Sequence, residues 1–111
     1  LIAPNQKIYE KSYSNYYKPP TYSVVKHGLL GLTKYYASLY GKNNVTVNMI
    51  SPGPIKNKQN VKLINEIKNI TPMGRLSRRE DIFGILEFLL SNDAKFITGQ
   101  NIFVDGGRTI I

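Results

Sequence analysis

Apolar residues recur at helical spacing between residues 21 and 41, at intervals of four, three, four and three positions. These residues are Val25, Leu29, Leu32, Tyr36 and Leu39. Such spacing predicts a helix with one hydrophobic face, with Thr21 as its candidate N-cap and Gly41 at its end. The preceding residues 1–19 are polar and rich in tyrosine and end in Pro19-Pro20, which predicts a long loop of the kind that often carries function.

Two short runs of β-branched and apolar residues predict strands. The first, residues 45–50, ends at the turn Ser51-Pro52-Gly53-Pro54, and the second, residues 101–104, ends at Asp105-Gly106-Gly107. Proline and glycine at these points are typical of tight turns that follow a strand.

Two helical patterns lie between the predicted strands. Residues 61–69 carry their apolar side chains on one face and predict a short helix. Ser77 and Glu80 have the spacing of a capping box, in which each side chain satisfies a free amide of the first turn. They predict the start of a second helix that ends near Ser91.

The order of these elements predicts the fold class. Strands separated by helices pair in parallel through a right-handed crossover, and parallel strands need cover on both faces. Three helices around two strands cannot supply that cover. We therefore expect an α/β chain that forms the carboxy-terminal flank of a larger doubly wound parallel sheet, with residues 1–111 as one part of a single domain.

Composition excludes several kinds of site. The 111 residues include no cysteine and a single histidine, His27, so neither a disulfide nor a thiolate nucleophile nor a metal cluster is expected, and His27 is interpreted as an exposed helix residue. No apolar stretch approaches the ~18 residues of a membrane span. The first residues also lack the basic and apolar regions of a signal peptide. We therefore expect an internal piece of a soluble, cytoplasmic protein with no membrane association.

The formal net charge of +8 raises the question of a nucleic-acid partner. A nucleic-acid interface gathers its basic residues on one face, whereas the lysines here are scattered between Lys7 and Lys95 and do not form one stripe with interleaved aromatic residues. We therefore expect no nucleic-acid partner.

The start of the first predicted helix places two chemically useful side chains on one face. Tyr22 and Lys26 are four positions apart, one above the other. A free phenol has a pKa of about 10. A neighbouring positive charge favours its ionised form, which suits general acid–base catalysis on an alcohol or carbonyl. The same spacing also arises by chance on half-exposed helices, so the pair alone leaves both interpretations open.

Two further motifs lie at the predicted strands. The segment from Asn48 to Ile55 includes Pro52 and Gly53 and closes the first strand, where open α/β sheets bind ligands and where a turn without bulky side chains lets the backbone approach a flat ring. Ile97-Thr98-Gly99-Gln100 precedes the second strand. An ordinary turn explains the first motif equally well on its own, and the glycines of the second motif are interpreted as structural.

In their order and spacing, these motifs resemble the short-chain dehydrogenase/reductase family over residues 20–107. The matching segments are Tyr22/Lys26, Asn48/Pro52/Gly53, Pro72-Met73-Gly74-Arg75, Glu80-Asp81, Ile97-Thr98-Gly99-Gln100 and Val104-Asp105-Gly106-Gly107. The resemblance implies the flank of a Rossmann fold and hydride transfer between NAD or NADP and a small-molecule alcohol or carbonyl substrate.

The resemblance also implies a role for each site residue. Tyr22 would exchange a proton with the substrate oxygen and also contact the cofactor, and Lys26 would bind the ribose hydroxyls of the nicotinamide and favour the phenolate. Pro52, Gly53 and Ile55 would complete the cofactor site, with the backbone of Ile55 at the carboxamide.

Three features depart from the family pattern. The glycine-rich phosphate loop, the catalytic asparagine and the catalytic serine are not among the 111 residues, and Lys56-Asn57 replaces a threonine that often contacts the cofactor phosphates. The segment before Tyr22 is longer and more aromatic than usual, as in a subgroup associated with bacterial surface-sugar biosynthesis. The alternative hypothesis is a truncated, catalytically inactive remnant that acts only by association.

The resemblance further implies a homodimer or homotetramer, with the tyrosine-bearing helix and the last helix at two-fold interfaces. Apolar residues off the main stripe of the first helix agree with a second buried face. They are Val24, Leu30, Tyr35 and Tyr40. The apolar tail, Thr109-Ile110-Ile111, agrees with such an interface as well.

Overall fold

The computed structural model describes residues 3–14 and 16–110. In this part of the chain, four α-helices and two strands follow one another in the order α1, α2, β1, α3, α4 and β2. Their bounds are Gln6–Ser12 for α1, Pro20–Tyr40 for α2, Met49–Pro52 for β1, Val61–Asn69 for α3, Glu80–Leu90 for α4 and Asn101–Val104 for β2. Short 3-10 turns follow α2, α4 and β2.

The two strands pair in parallel, as the element order predicts. The register runs from Met49 opposite Asn101 to Pro52 opposite Val104. The predicted start of the first strand at residue 45 is wrong by four residues. Side chains make most of the pairing there: the amide of Asn48 donates to the carbonyl of Ile97 at 2.8 Å and accepts from the N–H of Gln100 at 3.1 Å. One backbone hydrogen bond, from the N–H of Gly99 to the carbonyl of Val47 at 2.8 Å, accompanies them.

The predicted loop over residues 1–19 is wrong, because it contains helix α1. The Asn5 side chain caps this helix by accepting from the N–H of Lys7 at 3.1 Å. Ile8, only 3% exposed, packs in a small core with Leu63, Ile67 and Leu76. Helix α1 therefore lies against α3, and its stability comes from a tertiary contact that its own seven residues do not reveal.

Helix α2 begins and ends close to the predicted positions, but its start differs in chemistry. Pro19 occupies the N-cap and Pro20 the first turn, so Thr21 lies inside the helix and provides no cap. Proline suits this position because the first helical N–H groups have no intrahelical acceptor. At the other end, Gly41 is the C-cap, and Asn44 adopts a left-handed conformation with φ of 59°.

Helix α4 does not use the predicted capping box. Ser77 is buried in an isolated parallel bridge with Ile55, so it is not available at the helix start. Asp81 caps the start of the helix instead, since its carboxylate accepts a hydrogen bond from the backbone N–H of Arg78 at 2.8 Å. The helix nevertheless ends at Leu90, next to the predicted Ser91.

Helices α2 and α4 expose much of their apolar surface. In α2 the buried side chains are Thr33 and Ala37, and a Cβ added to Gly99 would lie 3.5 Å from the Cβ of Ala37. Val24 is 71% exposed and Leu90 of α4 is 79% exposed. The Cα radius of gyration of 16.1 Å exceeds the ~13 Å of a self-contained domain of this length.

Candidate active site

Tyr22 and Lys26 lie together near the start of α2, as the sequence predicts. The ammonium nitrogen of Lys26 is 5.8 Å from the ring centroid of Tyr22, a cation–π distance. The Tyr22 side chain is 42% exposed, and Lys26 is partly buried. The phenol is thus open to a ligand while a positive charge stands beside it.

A second lysine, which the sequence does not single out, is equally close to Tyr22. The Nζ atom of Lys18 lies 5.3 Å from the Tyr22 ring centroid and also faces the rings of Tyr9 and Tyr16, at 5.4 and 6.0 Å. The Gln6 side chain fixes the Lys18 backbone, since its amide donates to the Lys18 carbonyl and accepts from its N–H, both at 3.0 Å. The only sequence signal was the position of Lys18, four residues before Tyr22.

The end of β1 brings Pro52 and Gly53 to the same region. Pro52 is exposed and Gly53 is buried. A Cβ on Gly53 would lie 2.9 Å from both the Cα of Asp105 and the Oγ of Ser77. The structure therefore gives Gly53 a packing reason, the close contact of two strand ends, in addition to any contact with a ligand.

Ile55 lies just beyond this turn. Its carbonyl accepts from the side-chain amide of Gln59 at 2.8 Å, and the bridge to Ser77 uses the carbonyl of Pro54 and the N–H of Lys56. The N–H of Ile55 has no acceptor within residues 3–14 and 16–110. It is therefore available to a hydrogen-bond acceptor on a ligand.

Tyr22 opens into a cavity of about 410 Å³, which we call the Tyr22 cavity. Pro52 and Gly53 also line it, together with Lys18 and Arg108, whereas Lys26 and Ile55 do not. The structure thus brings three of the five predicted site residues to one cavity and places the other two beside it.

A side cavity of about 310 Å³ adjoins the Tyr22 cavity. Its walls are Tyr9, Tyr13, Tyr16, Lys18, Pro54, Gln59, Leu63 and Ile67. Four of these residues line both cavities, namely Tyr9, Lys18, Pro54 and Gln59. A larger cavity of about 570 Å³, between Pro72–Arg75 and β2, contains none of the predicted site residues.

Other kinds of site find no support in the described residues. Within residues 3–14 and 16–110, no group of three or more histidine, cysteine or acidic side chains is placed to hold a metal ion. No helix in this part of the chain has the length and apolar character to cross a membrane. His27 is exposed, and its Nδ1 lies 2.8 Å from the carbonyl of Ser23.

Comparison with known proteins identifies the family. The family model described as enoyl-(acyl carrier protein) reductase matches residues 8–109. The chain belongs to the short-chain dehydrogenase/reductase family. Relatives in this family include dehydrogenase/reductase SDR family member 4 of Caenorhabditis elegans, 37% identical over 113 residues that cover 90% of this chain and 43% of the relative. Cyclohexanol dehydrogenase of Acinetobacter sp. (strain SE19) is 38% identical over 89 residues, covering 79% of this chain and 36% of that protein.

Solved structures of this family confirm the predicted Rossmann fold. A short-chain dehydrogenase from Leptospira borgpetersenii with bound NAD+ is 36% identical and superposes with a TM-score of 0.82, over 92% of this chain and 41% of that one. A 4-hydroxyisoleucine dehydrogenase complexed with NADH is 37% identical with a TM-score of 0.78, over 91% of this chain and 43% of that one. The chain thus spans about two fifths of the length of the proteins it matches.

Proposed function

We propose that this chain is the catalytic, carboxy-terminal part of an NAD(P)-dependent oxidoreductase that transfers hydride between a nicotinamide cofactor and an alcohol or carbonyl substrate. The observation that carries the proposal is the Tyr22 phenol, open to a cavity, with the Lys26 ammonium 5.8 Å from its ring. The NAD+ and NADH held by two structural neighbours support the choice of cofactor.

Tyr22 is the acid–base residue in this proposal. In the reducing direction its phenol donates a proton to the carbonyl oxygen as hydride reaches the carbonyl carbon. In the oxidising direction the phenolate takes the hydroxyl proton. The positive charge of Lys26 stabilises the phenolate that remains after donation. The nicotinamide supplies or accepts the hydride when it is bound.

The residues present fit the nicotinamide end of such a cofactor. Pro52 offers an exposed apolar surface at the end of β1, and the N–H of Ile55, without an acceptor in the described chain, suits the oxygen of a carboxamide. Lys26, beside Tyr22 but outside its cavity, suits the ribose hydroxyls. Lys56 and Asn57 are both exposed at the place where the family often has a phosphate-contacting threonine.

The proposed cellular setting is bacterial surface-sugar biosynthesis. Its support is the aromatic segment before Tyr22, in which α1 and the residues after it place Tyr9, Tyr13 and Tyr16 on the wall of the side cavity. Aromatic rings of this kind pack against the apolar faces of sugars. Turnover of nucleotide-linked keto sugars would support this setting, and their rejection in favour of simple alcohols would oppose it.

The isolated 111-residue chain is proposed to be inactive. Nucleotide pyrophosphate binds at a glycine-rich helix amino terminus, and the 111 residues contain no such loop. Titration with NADH and NADPH, followed by fluorescence, tests both forms of the protein. We expect micromolar binding by the full-length protein that contains this chain, together with turnover of an alcohol and ketone panel, and no binding by the chain alone.

The same experiment separates the alternative of an inactive remnant. If the full-length protein binds neither nucleotide and turns over no alcohol or ketone, the enzyme proposal fails and association with other proteins becomes the better hypothesis. Micromolar nucleotide binding by the isolated chain would contradict the proposal that it is inactive.

A further inference from the structure

Lys18 occupies the junction between the Tyr22 cavity and the side cavity. It is one of four residues that line both. Its Nζ lies within 6.0 Å of the ring centroids of Tyr9, Tyr16 and Tyr22. A lysine at this position meets any molecule that reaches Tyr22 through the side cavity.

No carboxylate among the described residues forms an ion pair with Lys18. The described ion pairs are Lys11 with Glu66 and Arg75 with Asp81. The acid of helix α1, Glu10, accepts instead from the hydroxyl of Tyr17 at 3.3 Å. Lys18 therefore brings a positive charge to the cavities that the described chain does not neutralise.

The remaining charges of the Tyr22 cavity have the same sign or are already engaged. Arg108 adds a second cation to its wall. The carboxylate of Asp105 accepts from the backbone N–H groups of Gly107 and Thr109, both at 3.0 Å. Among the described residues, the cavity thus offers a cationic surface, and the carboxylate of its acidic wall residue, Asp105, is bound to the backbone.

The backbone of Lys18 is held in place by the Gln6 side chain and not by the side chain of Lys18 itself. Gln6 makes two hydrogen bonds of 3.0 Å with the Lys18 backbone. Tyr9 and Tyr16 stand edge to face beside it, with centroids 6.1 Å apart. A substitution at Lys18 that keeps a long stem therefore removes the charge and leaves the surrounding framework in place.

Lys18 and Lys26 approach the same ring but belong to different surroundings. Lys26 lines neither cavity, whereas Lys18 lines both. In the proposed function, on which this inference rests, Lys26 binds the cofactor. Lys18 is then the lysine that is free to bind the substrate.

We infer that Lys18 is a substrate-specificity residue that binds an anionic group, so that the substrate is an acidic hydroxy or oxo compound. Because Nζ lies 5.3 Å from the Tyr22 ring centroid, the anionic group stands within a few bonds of the reacting carbon. The body of the substrate extends between the tyrosines of the side cavity. A carboxylate and a phosphate share the required charge and oxygen acceptors.

Two matched pairs of ketones test the inference with the full-length protein. The carboxylate pair is 4-oxopentanoate and its uncharged amide, and the phosphate pair is dihydroxyacetone phosphate and dihydroxyacetone. For at least one pair we expect kcat/KM of the anion to exceed that of the neutral partner by about tenfold or more, mainly through KM, as for a charge-assisted contact. The pair that shows the preference identifies the anion.

Variants at Lys18 assign the preference to this residue. Lys18→Met should reduce the preference to near unity, mainly by raising KM for the anion, and Lys18→Arg should retain most of the preference. The control is Lys62→Met, which removes an exposed lysine of α3 that lines neither cavity. It should behave as the unaltered protein.

Calorimetric binding of the same anions separates this inference from the proposed function. Binding that Lys18→Met abolishes, without NAD(P)-dependent turnover, would support the anion site and reject the oxidoreductase. Turnover with equal efficiency for charged and neutral partners, or a preference that survives Lys18→Met, would overturn the inference and leave the oxidoreductase standing. Absence of both binding and turnover would reject both.

Discussion

The guanidinium of Arg75 makes two hydrogen bonds with the carboxylate of Asp81, at 2.6 and 2.9 Å. This bidentate pair joins the turn after α3 to the first turn of α4. Asp81 also accepts from the N–H of Arg78 at 2.8 Å. The hydrogen bond from Arg75, followed by that from Arg78, lowers the pKa of Asp81 from its ordinary 3.8 to about 2.

The depressed pKa of Asp81 predicts a dependence of stability on pH. A carboxylate whose pKa is lowered by folding stabilises the folded state above its ordinary pKa, and the contribution is lost as the pH falls through the folded value. Asp81→Asn should therefore lower the urea midpoint of the full-length protein at pH 7. The difference from the unaltered protein should begin to shrink below about pH 4 and continue to do so toward pH 2.

Asp93→Asn is the matched control for this experiment. Asp93 is exposed, and its carboxylate makes no hydrogen bond within the described residues. Its removal changes the net charge equally and should leave the urea midpoint nearly unchanged. A constant difference between Asp81→Asn and the unaltered protein from pH 7 to pH 3 would contradict the role of the Arg75–Asp81 pair.

Tyr22→Phe should reduce turnover of the full-length enzyme by at least ~10²-fold, because it removes the proton that a general acid donates. Cofactor affinity should change little, since the ring remains. Steady-state kinetics and nucleotide titration measure the two quantities separately. Tyr40→Phe, which removes a hydroxyl at the far end of the same helix, is the control, and near-normal turnover by Tyr22→Phe would show that another group is the acid–base.

Lys26→Ala should weaken both turnover and cofactor affinity. Its ammonium, 5.8 Å from the Tyr22 ring centroid, is proposed to stabilise the phenolate and to bind the ribose, so both quantities depend on one charge. Lys34→Ala, at an exposed position two turns further along α2, should affect neither. A loss of turnover with unchanged nucleotide affinity would remove the ribose contact from the assignment.

Gly53→Ala should destabilise the protein by about 1–3 kcal/mol, the usual cost of inserting an atom where none fits. The new Cβ would meet the backbone of Asp105 at 2.9 Å, and backbone cannot rotate away as a side chain can. Gly41→Ala is the control, because it lies in a right-handed helical conformation with no atom near its added Cβ. Equal urea midpoints for the two variants would show that the strand ends separate more easily than the structure indicates.

The exposed apolar faces of α2 and α4 predict assembly of the full-length protein. Val24 and Leu90 are among their most exposed side chains, and apolar patches of this kind usually meet a partner. We expect a homodimer or homotetramer with both helices at two-fold interfaces. Light scattering at micromolar concentration should show the multiple mass, and a monomeric mass would assign these faces to contacts within one chain. Ile110 of the apolar tail is exposed, whereas Ile111 lies outside the described residues.

Local patterns predicted those elements that local interactions form. Helix α3 matches the predicted residues 61–69, because its apolar positions repeat with the helical period. Helix α1 escaped prediction because it buries one large apolar residue, Ile8, against α3 some fifty residues later in the chain. The capping box failed for a related reason, since Ser77 is drawn into a bridge with the distant Ile55.

In the candidate site, too, the sequence predicted the local contacts and missed the contact between distant residues. The proximity of Tyr22 and Lys26 follows from their spacing on one helix and was predicted. The position of Lys18 depends on Gln6, whose side chain bridges twelve residues of chain, and no periodicity reports such a contact. The family resemblance did not supply it either, because the segment before Tyr22 departs from the usual pattern.

Within the described residues, α2 is buried at Thr33 and Ala37, in the half of the helix that lies away from Tyr22. Ala37, beside Gly99, is fifteen residues from Tyr22, or about 22 Å along the axis at ~1.5 Å per residue. A tilt of α2 by a few degrees about Ala37 would therefore displace the phenol of Tyr22 by about 1 Å. A displacement of this size in a reacting group can lower the rate by ~10²-fold. The small side chain of Ala37 thus helps to set the position of Tyr22, the proposed acid–base residue, at the other end of the helix.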